Sequence, residues 1–441
     1  MKIAFISLGC PKNQLDLEVM AATLKDNGHT LVKEDIEADV VIVNTCAFIE
    51  SALKESIDNI LDVAWLKKNR NLKGIVVTGC MAERYRDQIF GELPEVDAVL
   101  GVGSIDDICT AVEKVAAGEK YSAFGDKNTS PLGGKRVVSA PKYSSYLKIA
   151  EGCDNHCTYC VIPSIRGKYR SREMDDLIEE AKVLEKEGVK ELTLIAQDTT
   201  RYGLDLYGEK KLPELLRRLV DETGIEWFRV LYCYPEEVTE ELAEVFNYSP
   251  RILPYIDLPI QHISDKVLRR MNRRGGEAAV RRAVALLRER VKDIAIRTTI
   301  IVGFPGETEE DIEQLCAFVD EAKFDRLGVF TYSPEEDTPA ASFDDQIEEE
   351  EKVSRMDSVM RRQLEISAAN NAEKVGKTIR VLCEDYDVVA ETYFGRSEAD
   401  APEIDGKVYF SSKKKVRPGT FVDVKIEEAM DYDLVGKAVF S

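Results

Sequence analysis

The sequence predicts an α/β protein in three parts: an N-terminal parallel βα sheet domain, a central partial (βα)6 barrel and a small C-terminal antiparallel β-barrel. Three observations predict it. Short β-branched runs alternate with amphipathic stretches over residues 1–117. The alternation stops over 118–142 and returns over 143–345. After a charged helical stretch at 346–376, only short runs with period two remain, over 377–441.

In the first part, KIAFISL, DVVIVNT, GIVVTG and DAVLGVG read as strands. The helical stretches QLDLEVMAATLKDNG, Glu50 to Arg70, MAERYRDQIF and IDDICTAVEKVAAG follow them in turn. Repeated βα units need crossover connections, which makes the sheet parallel and covers it with helices. Residues 118–142 are rich in Gly, Ser, Pro and Lys and read as a linker. Six strand candidates follow: SSYLKIA from 144, ELTLIA at 191–196, EWFRVLY at 226–232, YIDLPI at 255–260, AIRTTIIVG at 295–303 and RLGVFTY at 326–332. Six units suit a partial barrel, and such folds place their chemistry at the C-terminal strand ends. The stretch 346–376 reads as a connecting helix. TIRVLCE, VVAETYF, GKVYFSS, TFVDVKIEEA and LVGKAVF then predict the small barrel.

Charge and composition narrow the function classes. Lys and Arg number 60 against 81 Asp and Glu, a net charge of −21, which favours basic partners over a nucleic-acid backbone. No run approaches a membrane span. The start, MKIAFISLGC, is a first strand rather than a signal peptide, so the expected location is cytoplasmic. In that compartment ten cysteines point to metal ligation or burial, not disulfides.

The chemistry rests on two sets of cysteines. Cys153, Cys157 and Cys160 form Cys-x3-Cys-x2-Cys directly after a predicted strand end. Three thiolates at that spacing can hold a four-iron cluster and leave one iron open to substrate. A zinc knuckle would need a fourth ligand, and His156 sits awkwardly inside the loop. Cys10, Cys46 and Cys80 are far apart in sequence, yet each ends a parallel-strand candidate after a small residue, Gly9, Thr45 or Gly79. Their thiols should meet at one crest of the sheet and hold a second cluster. Cys109, Cys233, Cys316 and Cys383 lack such placement and are expected to pack. His29 lies in a polar turn and needs no function.

The loop spacing, with Tyr159 before its last cysteine, is similar to that of the radical S-adenosylmethionine superfamily. The whole chain resembles the methylthiotransferases of that superfamily: three scattered cysteines, a radical core at 143–345 and a TRAM-like barrel at 377–441. SLGCPKN (7–13), EGCDNHCTYCVIPSIRG (151–167) and YIDLPIQHIS (255–264) are similar to the branch that methylthiolates an aspartate β-carbon of ribosomal protein S-12. The tRNA-modifying branch usually has Gln-Met where Pro11-Lys12 stand here. LDLE (15–18) departs from the pattern, which has Ser near Leu17, without touching the chemistry.

The resemblance implies two [4Fe-4S] clusters and S-adenosylmethionine. One cluster would generate a radical that removes hydrogen from the target carbon, and the other would supply sulfur. A second S-adenosylmethionine would supply the methyl group. No side chain beyond the cluster ligands is expected to be catalytic. Cofactor contacts are expected from the strand-end residues Gln197, Asp198, Gln261 and Arg297, from Gly303 with Gly306 near the adenosyl group, and from Tyr159; His262 reads as a structural hydrogen-bonder. The implied partners are a basic small-subunit ribosomal protein, free or within the ribosome, and an electron donor. Residues 374–441 carry 11 Lys and Arg against 13 Asp and Glu, so nucleic-acid contact is at most secondary, and Lys413-Lys414-Lys415 reads as a solvated turn. A tRNA methylthiotransferase of the same fold and a non-catalytic cluster-carrying or RNA-binding module are the competing readings.

Overall fold

A computed structural model describes residues 1–139 and 141–440. Its first sheet is parallel and six-stranded: β1 (Lys2–Ser7), β2 (Thr30–Leu31), β3 (Val40–Thr45), β4 (Gly74–Gly79), β5 (Ala98–Leu100) and β6 (Tyr121–Ala123), in the order β2-β1-β3-β4-β5-β6. Both faces are covered, so every residue of β3 and β4 is buried, as their unbroken apolar runs require. The register pairs Ser7 with Asn44 and Thr45 with Gly79, which brings three strand ends to one edge. Two strands exceed the four expected. Two-residue β2 is too short to show periodicity, and β6 comes from the segment read as linker, where it pairs with β5.

The central sheet comprises β7 (Ser144–Lys148), β10 (Glu191–Ile195), β11 (Trp227–Val230), β12 (Ile252–Asp257), β13 (Ala295–Val302) and β14 (Arg326–Thr331). It is parallel throughout, in the order β14-β13-β12-β11-β10-β7, and among the described residues its two edge strands do not pair. The small ladder of β8 (Ala150–Glu151) and β9 (Arg170–Ser171) brackets the cysteine loop. Helices pack on the convex face around Leu194, Val230, Ile256 and Ile300. The long helix Glu349–Ala372 joins them through a buried stripe of Lys352, Arg355, Val359, Gln363, Ser367 and Asn371. It is a packed layer of this domain as well as a connection.

β15 (Thr378–Asp387), β16 (Thr392–Ser397), β17 (Val408–Ser411), β18 (Phe421–Ala429) and β19 (Leu434–Val439) close a barrel in the order β15-β16-β17-β19-β18. Four pairings are antiparallel and β17–β19 is parallel. An odd number of strands cannot alternate direction around a closed ring, so one parallel pair is obligatory. The run VVAE, expected within a strand, forms the β15–β16 turn instead and exposes Val388 and Val389. β15 runs on past an irregularity at Cys383–Asp385, which pushes the turn along the chain.

This barrel covers the concave face of the central sheet. Leu382, Ala401 and Phe421 pack with Tyr146, Trp227, Leu253 and Tyr255. Fully buried Glu191 receives Arg229 from β11 at 2.9 Å and Arg396 from the barrel at 2.5 Å. Burial pushes the Glu191 carboxyl up, but the two guanidiniums outweigh it and hold it at about 2. Arg326 pairs with Asp400, and the Tyr255 hydroxyl donates to Asp405 at 2.6 Å.

Candidate active site at the domain junction

Cys153, Cys157 and Cys160 lie on a loop pinned from several sides. Cys153 N–H donates to the Gly167 carbonyl at 3.1 Å, and Thr158 N–H to Met271 at 3.1 Å. Asn155 donates to the Asp198 carboxylate at 2.8 Å, and Asn272 to the His156 carbonyl at 2.9 Å. Gly152, at φ +82°, turns the chain into the loop; a Cβ there would lie 2.1 Å from the Lys168 carbonyl oxygen. Cys153 and Cys157 are buried and Cys160 half-buried, while the His156 side chain is exposed and turned away. Burial pushes the Cys153 and Cys160 thiols up, a penalty that metal ligation reverses.

Cys10, Cys46 and Cys80 meet at the edge of the first sheet. Cys10 caps the helix Pro11–Asp26, Cys46 follows β3, and Cys80 opens the helix Cys80–Tyr85. Gly9, at φ +86°, makes the approach possible: a Cβ would lie 2.7 Å from Cys46 Cβ. Burial raises the Cys46 thiol and pushes Cys80 up to about 12 despite the Arg166 guanidinium, with Cys10 adding to both. All ten cysteines are free thiols. Among the described residues no three or more His, Cys, Asp or Glu side chains are grouped so as to hold a metal ion. A zinc site gathers its ligands about 2.0–2.3 Å from one ion, whereas a cuboidal cluster spreads thiolates over separate irons.

The segment that follows the first triad packs against the second. The helix Ile162–Arg166, just beyond Cys160, carries Val161 and Ile165 into the core around Cys80 and Met81. Its Arg166, 3% exposed, lies 3.5 Å from Cys80 Sγ and 2.6 Å from Asp16. Lys148 bridges Asp16 at 2.7 Å and Glu151 at 2.8 Å. Two cationic residues of the central domain thus share one carboxylate of the first helix, Asp16. Next to this network, Lys12 Nζ lies 3.2 Å from the Tyr232 ring centroid. Two residues on, burial raises the Tyr234 hydroxyl, with the Cys157 and Cys153 thiols adding to it, and Arg273 stacks 4.1 Å from its ring centroid.

The expected cofactor contacts divide. Gln197 and Gln261 stand at strand ends with buried Oε1 atoms that have no partner among the described residues, acceptors that suit a polar ligand. Gln197 also donates to Glu151 at 2.6 Å. Asp198, fully buried, is committed to Asn155 and Thr200, and so anchors the cysteine loop from within; burial pushes it up to about 6. Arg297 is held by Asp257 at 2.8 Å and by Asp405 at 3.5 Å. Close approach at Gly303 and Gly306 is made by other side chains: a Cβ would meet Lys352 at 2.2 Å and Asp345 at 2.4 Å. Tyr159 packs beside Met271 and Phe304. His262 accepts the Ser264 N–H at 2.9 Å, and its Nε2 lies 3.4 Å from buried Glu307. Cys233 and Cys316 lie in the central core, Cys383 in the barrel core, and Cys109 against the first sheet. Asp16, Lys148 and Arg166 escaped the sequence reading, because a buried charge looks like a surface charge until its partner is known.

Residues 2–101 match the uncharacterized protein family UPF0004, 147–319 the radical SAM superfamily and 375–439 the TRAM domain. The chain is similar in fold to the radical S-adenosylmethionine methyltransferase TsrM of Kitasatospora setae, with a TM-score of 0.57, 16% identity, and coverage of 77% of this chain and 76% of that one. These features define a radical SAM enzyme. Among curated relatives, the ribosomal protein uS12 methylthiotransferase RimO of Lachnoclostridium phytofermentans is 50% identical over 99% of this chain and 100% of its own. Those of Clostridium tetani (50%; 99% and 98%) and Clostridioides difficile (48%; 100% and 99%) are similarly close. The chain belongs to the RimO family of methylthiotransferases.

Proposed function

We propose that the chain adds a methylthio group to the β-carbon of an aspartate of ribosomal protein uS12. What supports this reading is the contact of Arg166, six residues beyond Cys160, with Cys80 Sγ at 3.5 Å, in a chain half identical to enzymes of that name over its whole length. Cys153, Cys157 and Cys160 would hold the cluster that binds S-adenosylmethionine, and Cys10, Cys46 and Cys80 a second. When bound, these groups supply a deoxyadenosyl radical, sulfur and a methyl group. The chain's own side chains do the rest. Asp198 and Asn155 fix the first loop, and Asp16, Lys148, Glu151 and Arg166 hold the second triad against it. Gln197 and Gln261 offer acceptors to the cofactor. Burial at the junction excludes water, which a carbon-centred radical needs, and proximity supplies the rate.

The partner is a basic protein, matched to a net charge of −21. The TRAM domain adds RNA contact as a secondary feature, an electron donor is required, and the place of action is the cytoplasm. No helix among the described residues is long and apolar enough to cross a membrane. Anaerobic reconstitution should give about eight irons per chain; about four would leave Cys10, Cys46 and Cys80 without a cluster. Mass spectrometry of a deletion strain should show uS12 without its methylthio group and tRNA unchanged. Loss from tRNA alone would reverse the substrate.

A further inference from the structure

A groove of about 750 Å³ runs along the helix Met174–Glu187, with residues 131–138 as its other wall. Glu173, Asp176, Glu180, Val183 and Glu187 follow one another at steps of three and four residues, so they form one stripe along the helix. Val183, 52% exposed, is the apolar centre of that stripe. The cations of the groove are already neutralised within the chain. Lys135 holds Asp26 at 2.8 Å, Arg136 holds Glu18 at 2.6 Å and Glu180 at 2.9 Å, and Arg172 holds Glu180 at 2.7 Å. Glu179 is paired with Lys182 at 2.9 Å. Asp176 and Glu187 are exposed and make no ion pair among the described residues. The groove therefore offers uncompensated negative charge on either side of an apolar centre.

That combination selects its occupant. A second copy of this chain, at −21, is repelled, and so is a nucleic-acid backbone. An extended basic segment fits, with an apolar side chain on Val183 and Lys or Arg side chains on Asp176 and Glu187. The stripe from Glu173 to Glu187 spans about 21 Å, the length of about six extended residues. One end of the groove, at Arg172 and Glu173, directly follows β9, half of the ladder that brackets the cysteine loop. A narrower cleft, also lined by Leu132 and Gly133, continues from it to Asp16 and Lys148. We propose that this groove docks a basic segment of the substrate ribosomal protein, separate from the residue that is modified, and so tethers that protein beside the site. The proposal deepens the uS12 reading above and rests on it.

Full-length reconstituted enzyme is assayed for turnover of uS12 and, separately, for binding of uS12 whose target aspartate is changed to alanine. Asp176→Lys combined with Glu187→Lys should raise KM for uS12 about tenfold with kcat little changed, the effect of two exposed ion pairs turned repulsive. Binding of the alanine form should weaken by the same factor, because the docked segment is separate from the target residue. KM for S-adenosylmethionine should stay as in the wild type. Asp176→Asn combined with Glu187→Gln should give a smaller change in the same direction, and carries the test if the first variant does not fold. Unchanged KM and unchanged binding of uS12 overturn the proposal. A loss of ribosomal RNA binding with uS12 binding intact assigns the groove to nucleic acid and overturns it too. So does an equal rise in KM for S-adenosylmethionine, which makes the effect structural. Deoxyadenosine formed by the wild type with no methylthio group on uS12 removes the substrate reading and the proposal with it, a result distinct from an unchanged KM.

Discussion

Gly9 and Gly152 hold positive φ where each triad begins, and each has another residue's atoms where a Cβ would be. For Gly152→Ala those atoms are the Lys168 carbonyl, whose residue is tied through its N–H to Asn128 at 2.9 Å. The loop must give way instead. Reconstituted Gly152→Ala should lose about half its iron and, from the strained backbone, about 1–3 kcal/mol of stability in denaturant unfolding. Gly9→Ala should displace Cys46 and remove the other half. Full iron in both variants would separate the glycines from the triads. At this scale the sequence was most informative about the cysteines, because Gly9-Cys10, Gly79-Cys80 and Gly152-Cys153 recur at strand ends. It marked Lys12 only as half of the Pro11-Lys12 pair and did not show its burial, because its setting depends on Tyr232 in another domain. Gly303 looked like a ligand cradle for the same reason: the Lys352 chain that fills it arrives from a helix much later in sequence.

Among the elements, the segment 118–142 departs furthest from its reading. Its composition suggests a spacer, yet it provides β6 and a clamp. Buried Arg136 reaches Glu18 of the first helix at 2.6 Å, Glu180 of the helix Met174–Glu187 at 2.9 Å and the Tyr146 carbonyl at 2.7 Å. Arg136→Met leaves Glu18 buried without its cation. The expected cost is about 3 kcal/mol or more, seen in denaturant unfolding together with faster proteolysis within 118–142. Unchanged unfolding would show that the clamp is dispensable. Periodicity finds elements that bury one apolar face, so it traced the strands that carry both triads. It could not find an element ordered by charges lent from two other helices.

The whole molecule is held together by charges that the domains share. Glu191 is the clearest case, since one carboxylate serves Arg229 of the sheet and Arg396 of the barrel. Its folded value of about 2 lies below its ordinary 4.5, so its contribution is complete above pH 4.5 and is lost as the pH falls toward 2. Acid should therefore release the C-terminal barrel in that window. Glu191→Gln should cost about 3–5 kcal/mol at neutral pH, because two guanidiniums stay buried. It should also flatten the acid limb of a thermal stability profile, whereas an acid limb like that of the wild type would place the cause elsewhere.

The concave face of the central sheet is closed by a part of the chain made after it. Asp400 and Asp405 reach Arg326, Tyr255 and Arg297 from the barrel, near the C-terminus. Chains emerge from the ribosome N-terminal end first and fold domain by domain. Both cysteine triads are thus synthesised, and the strands that carry them can pair, while the floor of the central sheet is still open to solvent. The barrel joins after both triads are made, and its arrival covers the floor of the central sheet.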